Sequence, residues 1–79
     1  MEIKITAPNG KYSLITTRDQ ESKFDCTVNH VSSTEAQPFI AINFTEKGEA
    51  VGGRTMQESA VKNMIESAKK TGLKVEENE

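Results

Sequence analysis

Along residues 2–53 apolar and polar side chains alternate in short runs broken by turn-forming residues, and from Met56 the apolar spacing becomes that of a helix. This single change of period restricts a 79-residue chain to few folds. Period-two segments of five to eight residues bury one face of a sheet, and the helical stripe that follows supplies a cover for it. The expected class is α+β: an antiparallel sheet of about five strands with one C-terminal amphipathic helix packed on one face.

The turn chemistry sets the pairing. Ile3 and Ile5 share a face of a first strand that runs into Ala7, Pro8, Asn9 and Gly10, where Pro presets one turn residue and Gly supplies a positive φ. The returning strand puts Tyr12, Leu14 and Thr16 on one face and Ser13, Ile15 and Thr17 on the other. After a polar connector at 18–22, Phe24, Cys26, Val28 and His30 alternate with polar neighbours and predict a third strand. Residues 32–38 form a polar loop. A fourth strand then places Ile40, Ile42 and Phe44 toward the core, turns at Glu46, Lys47 and Gly48, and returns to about Gly53. The adjacent glycines at 52 and 53 predict a bulge or a close approach of another backbone.

Thr55 and Glu58 have the spacing of a capping box, which predicts a helix beginning at Thr55. Ala60, Val61, Met64, Ile65 and Ala68 form its apolar stripe, and Gly72 suits the position just past its end. Leu73 and Val75 fit a short edge strand or the closure of the helix cap. Residues 1–75 are expected to make one small domain, with 76–79 as a frayed acidic tail.

Composition narrows function by exclusion. Ten Lys and Arg against twelve Asp and Glu give a net charge of −2, without the basic excess that drives most nucleic-acid binding. The longest apolar run, at 39–42, is far short of the roughly 20 residues that cross a bilayer. Without a secretory pattern in its first residues, the chain is expected to be cytoplasmic. Leu, Ile, Val and Phe supply only sixteen residues, so the core is small and a homodimer is one way to extend it. Tyr12, Ile15 and Val31 are the candidates for the second sheet face that such a dimer would use.

Few side chains invite chemistry. Cys26 and His30 share a face of the predicted third strand, but four residues of strand hold them about 13 Å apart, too far for a dyad or for one metal ion. Asp19, Glu21 and Asp25 lack the glycine-broken spacing of a calcium loop. The glycines at 48, 52 and 53 match no phosphate-binding motif. No catalytic group, cofactor or metal site is expected, and a binding role needs only an accessible face or edge.

The segment Gly48-Glu49-Ala50-Val51-Gly52-Gly53-Arg54, followed by the amphipathic helix from Met56, resembles the hairpin-then-helix segment of some small phage anti-CRISPR proteins that inhibit type I-F surveillance complexes. The resemblance covers about 25 residues and implies a stoichiometric inhibitor of a host ribonucleoprotein complex, with no catalysis. The acidic residues Asp19, Glu21, Asp25, Glu35, Glu46 and Glu49, most of them in loops or turns, are the expected contacts to a basic protein partner. The alternatives are an accessory protein that meets nucleic acid through Arg54, Lys62, Lys69 and Lys70 on one helix face, and a self-associating structural protein that pairs through edge strands or the uncovered sheet face.

Overall fold

A computed structural model of the chain describes residues 2–31 and 36–78. It is an α+β structure with six strands, one more than the spacing suggested: β1 (Glu2–Thr6), β2 (Tyr12–Thr17), β3 (Val28–Asn29), β4 (Phe39–Phe44), β5 (Ala50–Met56) and β6 (Lys74–Asn78). A 3-10 helix, Arg18–Lys23, follows β2, and the single α-helix, α1 (Glu58–Lys70), lies between β5 and β6. All strands join one sheet in the order β3-β5-β4-β2-β1-β6. The pairings are antiparallel except β3 with β5, so the sheet is mixed.

The two hairpins are built alike. In each, a glycine at positive φ, Gly10 at 89° and Gly48 at 88°, donates its N–H back to the residue three before it. The strands then close through Ala7 N–H to the Lys11 carbonyl and Thr45 N–H to the Glu49 carbonyl. This is the type I turn with a left-handed glycine that joins strands through short loops. It places both turns at one end of the sheet, here called the hairpin end. From the other end, the crossover end, the chain leaves β2 for the 3-10 helix and β5 for α1.

Both departures are crossovers between strands of the same direction. From β5, α1 passes over one face to β6; from β2, residues 18–27 pass over the opposite face to β3. They travel in opposite senses along the sheet on opposite faces, which gives both connections the same hand, as a twisted sheet favours. The core is accordingly split. Under α1 lie Ile3, Ile5, Ile15, Ala41 and Met56 with Val61 and Ala68 of the helix. On the reverse face Val28, Ile40 and Ile42 are buried, with Phe24, Cys26, Phe44 and Ala50 packed on them.

Four expectations are corrected here. Residues 24–31 do not form a long third strand: only Val28–Asn29 reaches the β5 edge, while Phe24 and Cys26 lie across the sheet face. Alternation along 24–28 therefore reports which side chains turn inward, and an extended segment laid over a sheet shares that period with a strand in it. Second, the helix begins at Glu58, and Thr55 and Met56 remain in β5 opposite Ile40 and Phe39. Their exposures of 3% and 4% show what a cap at Thr55, worth about 1 kcal/mol, would have to offset. Third, Glu76, Glu77 and Asn78 are paired with β1 instead of fraying. Fourth, Ile15 is fully buried beneath α1 and is absent from any second face; Tyr12, stacked on Phe44 at 4.8 Å, does lie on the face away from α1. Glu79 and the 32–35 part of the expected loop lie outside the described residues.

The helix exit follows the sequence. Thr71 ends α1, Gly72 takes a φ of 78°, and N–H bonds from Gly72 to Lys69 and from Leu73 to Ala68 satisfy the last carbonyls. Leu73 then packs back on the helix-side core, the apolar contact that accompanies this cap.

Candidate interaction surfaces

Of the six acidic residues expected to act together, the five described ones are divided by the fold. Asp19 and Glu21 lie in the 3-10 helix that leaves β2 at the crossover end, whereas exposed Asp25 follows Phe24, whose ring meets Phe44 at 5.9 Å near the hairpin end. Glu46 and Glu49 occupy the β4–β5 turn at the hairpin end. The six residues of β4 separate these groups by roughly 17–20 Å. Glu35 lies outside the described residues.

Sequence-distant charges instead segregate by end. Glu2 begins β1, Asp19 and Glu21 follow β2, Glu58 opens α1 and Glu77 is near the end of β6, so five carboxylates gather toward the crossover end with Arg18, Lys23, Arg54 and Lys62. Lys11 and Lys47 sit beside the two hairpin turns, Lys69 and Lys70 in the last turn of α1 and Lys74 at the start of β6, so five lysines gather at the hairpin end with Glu46, Glu49, Glu66 and Glu76, the last 3.5 Å from Lys74. Strand direction produces this separation, and no window of sequence displays it.

A polar network ties the 3-10 helix to the exit of β3. His30 Nδ1 lies 3.0 Å from Arg18 Nη2, and its Nε2 lies 2.9 Å from Glu21 Oε1. Arginine can only donate, so Nδ1 accepts and Nε2–H donates to the carboxylate. His30 thus has two partners already, while Cys26 packs on the reverse-face core. Beside the network, the Thr17 hydroxyl donates to Asp19 and, with a bond from Gln20, holds the Asp19 carboxyl below the ordinary carboxylate range. Among the described residues no three His, Cys, Asp or Glu side chains converge to hold a metal ion, and no helix is long and apolar enough to cross a membrane.

The four basic residues of the nucleic-acid alternative do not share a helix face. Arg54 is in β5 opposite Ala41, Lys62 pairs with Glu58 at 3.8 Å one turn away, and Lys69 and Lys70 lie at the far end of α1.

Sequence reasoning missed Val51 as a surface residue. Phe44 faces Ala50 and Asn43 faces Gly52, so Val51 is the extra residue of a β-bulge and is 64% exposed. Gly52 takes a φ of 150° there. The glycine pair at 52 and 53 signalled the bulge, but not which side chain it turns outward. Gly53 is the close approach: a Cβ there would lie 2.5 Å from Ile42 Cδ1 and 2.6 Å from the Ala41 carbonyl oxygen.

Compared with protein-family models, curated proteins and solved structures, the chain has no match.

Proposed function

We propose that this chain is a non-enzymatic protein-binding module that docks on a basic partner through its crossover end. The segregation of charge supports this function. A concentration of carboxylates at one end of a small, nearly neutral molecule orients it toward a positive surface and speeds productive encounter. Asp19 and Glu21 are the central contacts, and Asp25 follows them on the same crossover segment. In its finer form the module is a stoichiometric inhibitor of a host ribonucleoprotein complex acting in the cytoplasm, a reading supported by the likeness of residues 48–54 and the following helix to small phage inhibitors.

The test uses the full chain immobilised as bait for bacterial lysate, with and without nuclease. The expected result is a protein retained after nuclease treatment, bound by the wild type and lost from the double variant Asp19→Lys/Glu21→Lys, whose circular dichroism spectrum stays that of the wild type. Material lost on nuclease treatment, or retention indifferent to the double variant, overturns the proposal.

A further inference from the structure

The opposite end of the molecule holds a separate feature. Because α1 starts beside β5 and must finish beside β6, it crosses the sheet obliquely and leaves the β4–β5 side of its face uncovered at the hairpin end. A hollow of about 300 Å³ remains there between the last turns of α1 and the sheet. Met64, Leu73, Ile5 and Val51 form its apolar walls, and the cross-strand pair Ser13 and Asn43 joins them. This volume is at the lower bound of sites that accept small ligands or single inserted side chains.

Three observations distinguish the hollow from a packing gap. First, the bulge at Val51 turns a β-branched apolar side chain outward at the rim, where a regular strand would have placed no extra residue. Second, Ser13 Oγ donates to Asn43 Oδ1 at 2.8 Å, so the two Asn43 Nδ2 hydrogens remain for an incoming carbonyl. Third, Lys11 lines the hollow, and Lys47, Lys69 and Lys70 share its end of the molecule, while Lys74 is paired with Glu76 at 3.5 Å. The apolar walls call for an aliphatic or aromatic side chain, the free amide for a backbone carbonyl, and the lysines for carboxylates around them.

We propose that this hollow is a docking site for an acidic peptide segment that inserts one large apolar side chain against Val51, Met64 and Leu73 while its carboxylates meet Lys11 and the lysines of the helix end. A nucleic-acid strand fits less well. Glu46 and Glu49 interrupt the basic end, and the two aromatic rings that line the hollow, Tyr12 and Phe44, are already stacked on each other, with Lys4 over Tyr12 at 4.5 Å. Met64 adds an adaptable wall, since thioether side chains repack around different inserted groups.

A random-peptide display selection against the full chain tests this directly. Enriched sequences are expected to combine Asp and Glu with a Leu, Phe or Met anchor. The strongest of them, made synthetically, should shift the amide resonances of Ser13, Asn43, Val51, Met64 and Leu73. Val51→Asp and Lys11→Glu should each lower its affinity about tenfold or more, and added salt should weaken it further. Asp19→Lys/Glu21→Lys should leave this affinity unchanged, which separates failure here from failure of the crossover-end function. Both Val51 and Lys11 are exposed, so loss of the fold would not mimic loss of the site. The proposal is overturned by the absence of enrichment over an unrelated bait, by basic or neutral enriched sequences, or by resonance shifts elsewhere. Tighter binding of an oligonucleotide or of anionic vesicles that ignores Val51→Asp overturns it equally.

Discussion

Replacing Thr55 by Val removes one oxygen and leaves the side-chain shape nearly intact, at a residue only 3% exposed. That oxygen accepts the Val31 N–H at 3.1 Å and donates its own proton to Gln37 Oε1. It therefore holds positions 31 and 37, on either side of residues 32–35, to the end of β5. A hydrogen bond contributes about 0.5–1.5 kcal/mol net, so two give about 1–3 kcal/mol. The Val31 bond is only part-buried, and the new methyl group is buried where a hydroxyl was, so the lower half of that range is expected. A loss of about 1–2 kcal/mol corresponds to a melting temperature lower by about 4–16 °C in a domain of this size. Urea denaturation followed by far-ultraviolet circular dichroism gives the stability, and hydrogen exchange at the Val31 amide gives the location.

The comparison variant is Glu58→Ala. A capping box would make Glu58 nearly as costly to lose as Thr55, whereas an exposed pair with Lys62 contributes about 0.3–0.5 kcal/mol. Glu58→Ala as damaging as Thr55→Val, or unchanged Val31 exchange in Thr55→Val, would refute the bridging role and restore the cap.

Three further outcomes are expected. Gly53→Ala should cost about 1–3 kcal/mol by denaturation, because its Cβ meets the Ala41 backbone carbonyl as well as a movable Ile42 methyl; a loss below about 0.5 kcal/mol would show that β4 and β5 can separate freely. Ile15→Ala should cost about 2–5 kcal/mol of a total stability near 4–12 kcal/mol, whereas an Ile15 on a dimer face would cost little in the monomer. Thr17→Ala should raise the Asp19 carboxyl toward its ordinary value of 3.8, read by carboxyl-carbon NMR titration. Since the folded value is depressed, the Thr17–Asp19 interaction contributes above the ordinary value and is lost as pH falls through the folded one, so an unshifted titration in the variant would remove Thr17 as its main cause.

What the sequence made legible was local. Gly10 and Gly48 marked both hairpin turns, the stripe from Ala60 to Ala68 marked the helix, and Gly72 marked its end, because each depends on residues within one or two turns of chain. What it hid was relational. Phe24 and Cys26 alternate correctly yet lie on a sheet instead of in it, and Thr55 has the chemistry of a cap yet is held in β5 by burial. Charge segregation was invisible for the same reason: Lys11 and Lys70 are far apart in the chain, and only the strand order puts them at one end. The acidic set chosen by loop position was split, since loop position does not specify which end of the sheet a loop occupies.

The place of β1 between β2 and β6 also bears on how the chain acquires its structure. Glu2 lies opposite Asn78, and Ile3 opposite Glu77, so the first strand of this sheet completes its hydrogen bonding only with the last one to join it along the chain. Until then its outer edge stays unpaired and Ile3 and Ile5 lack the helix that covers them. Pairing across nearly the whole chain carries the largest loop-closure entropy, which moves folding toward the millisecond-to-second regime of non-local topologies. During translation the nascent chain holds an open apolar strand edge for as long as α1 and β6 are still being made, and it is in that interval, more than in the finished molecule, that aggregation competes with folding.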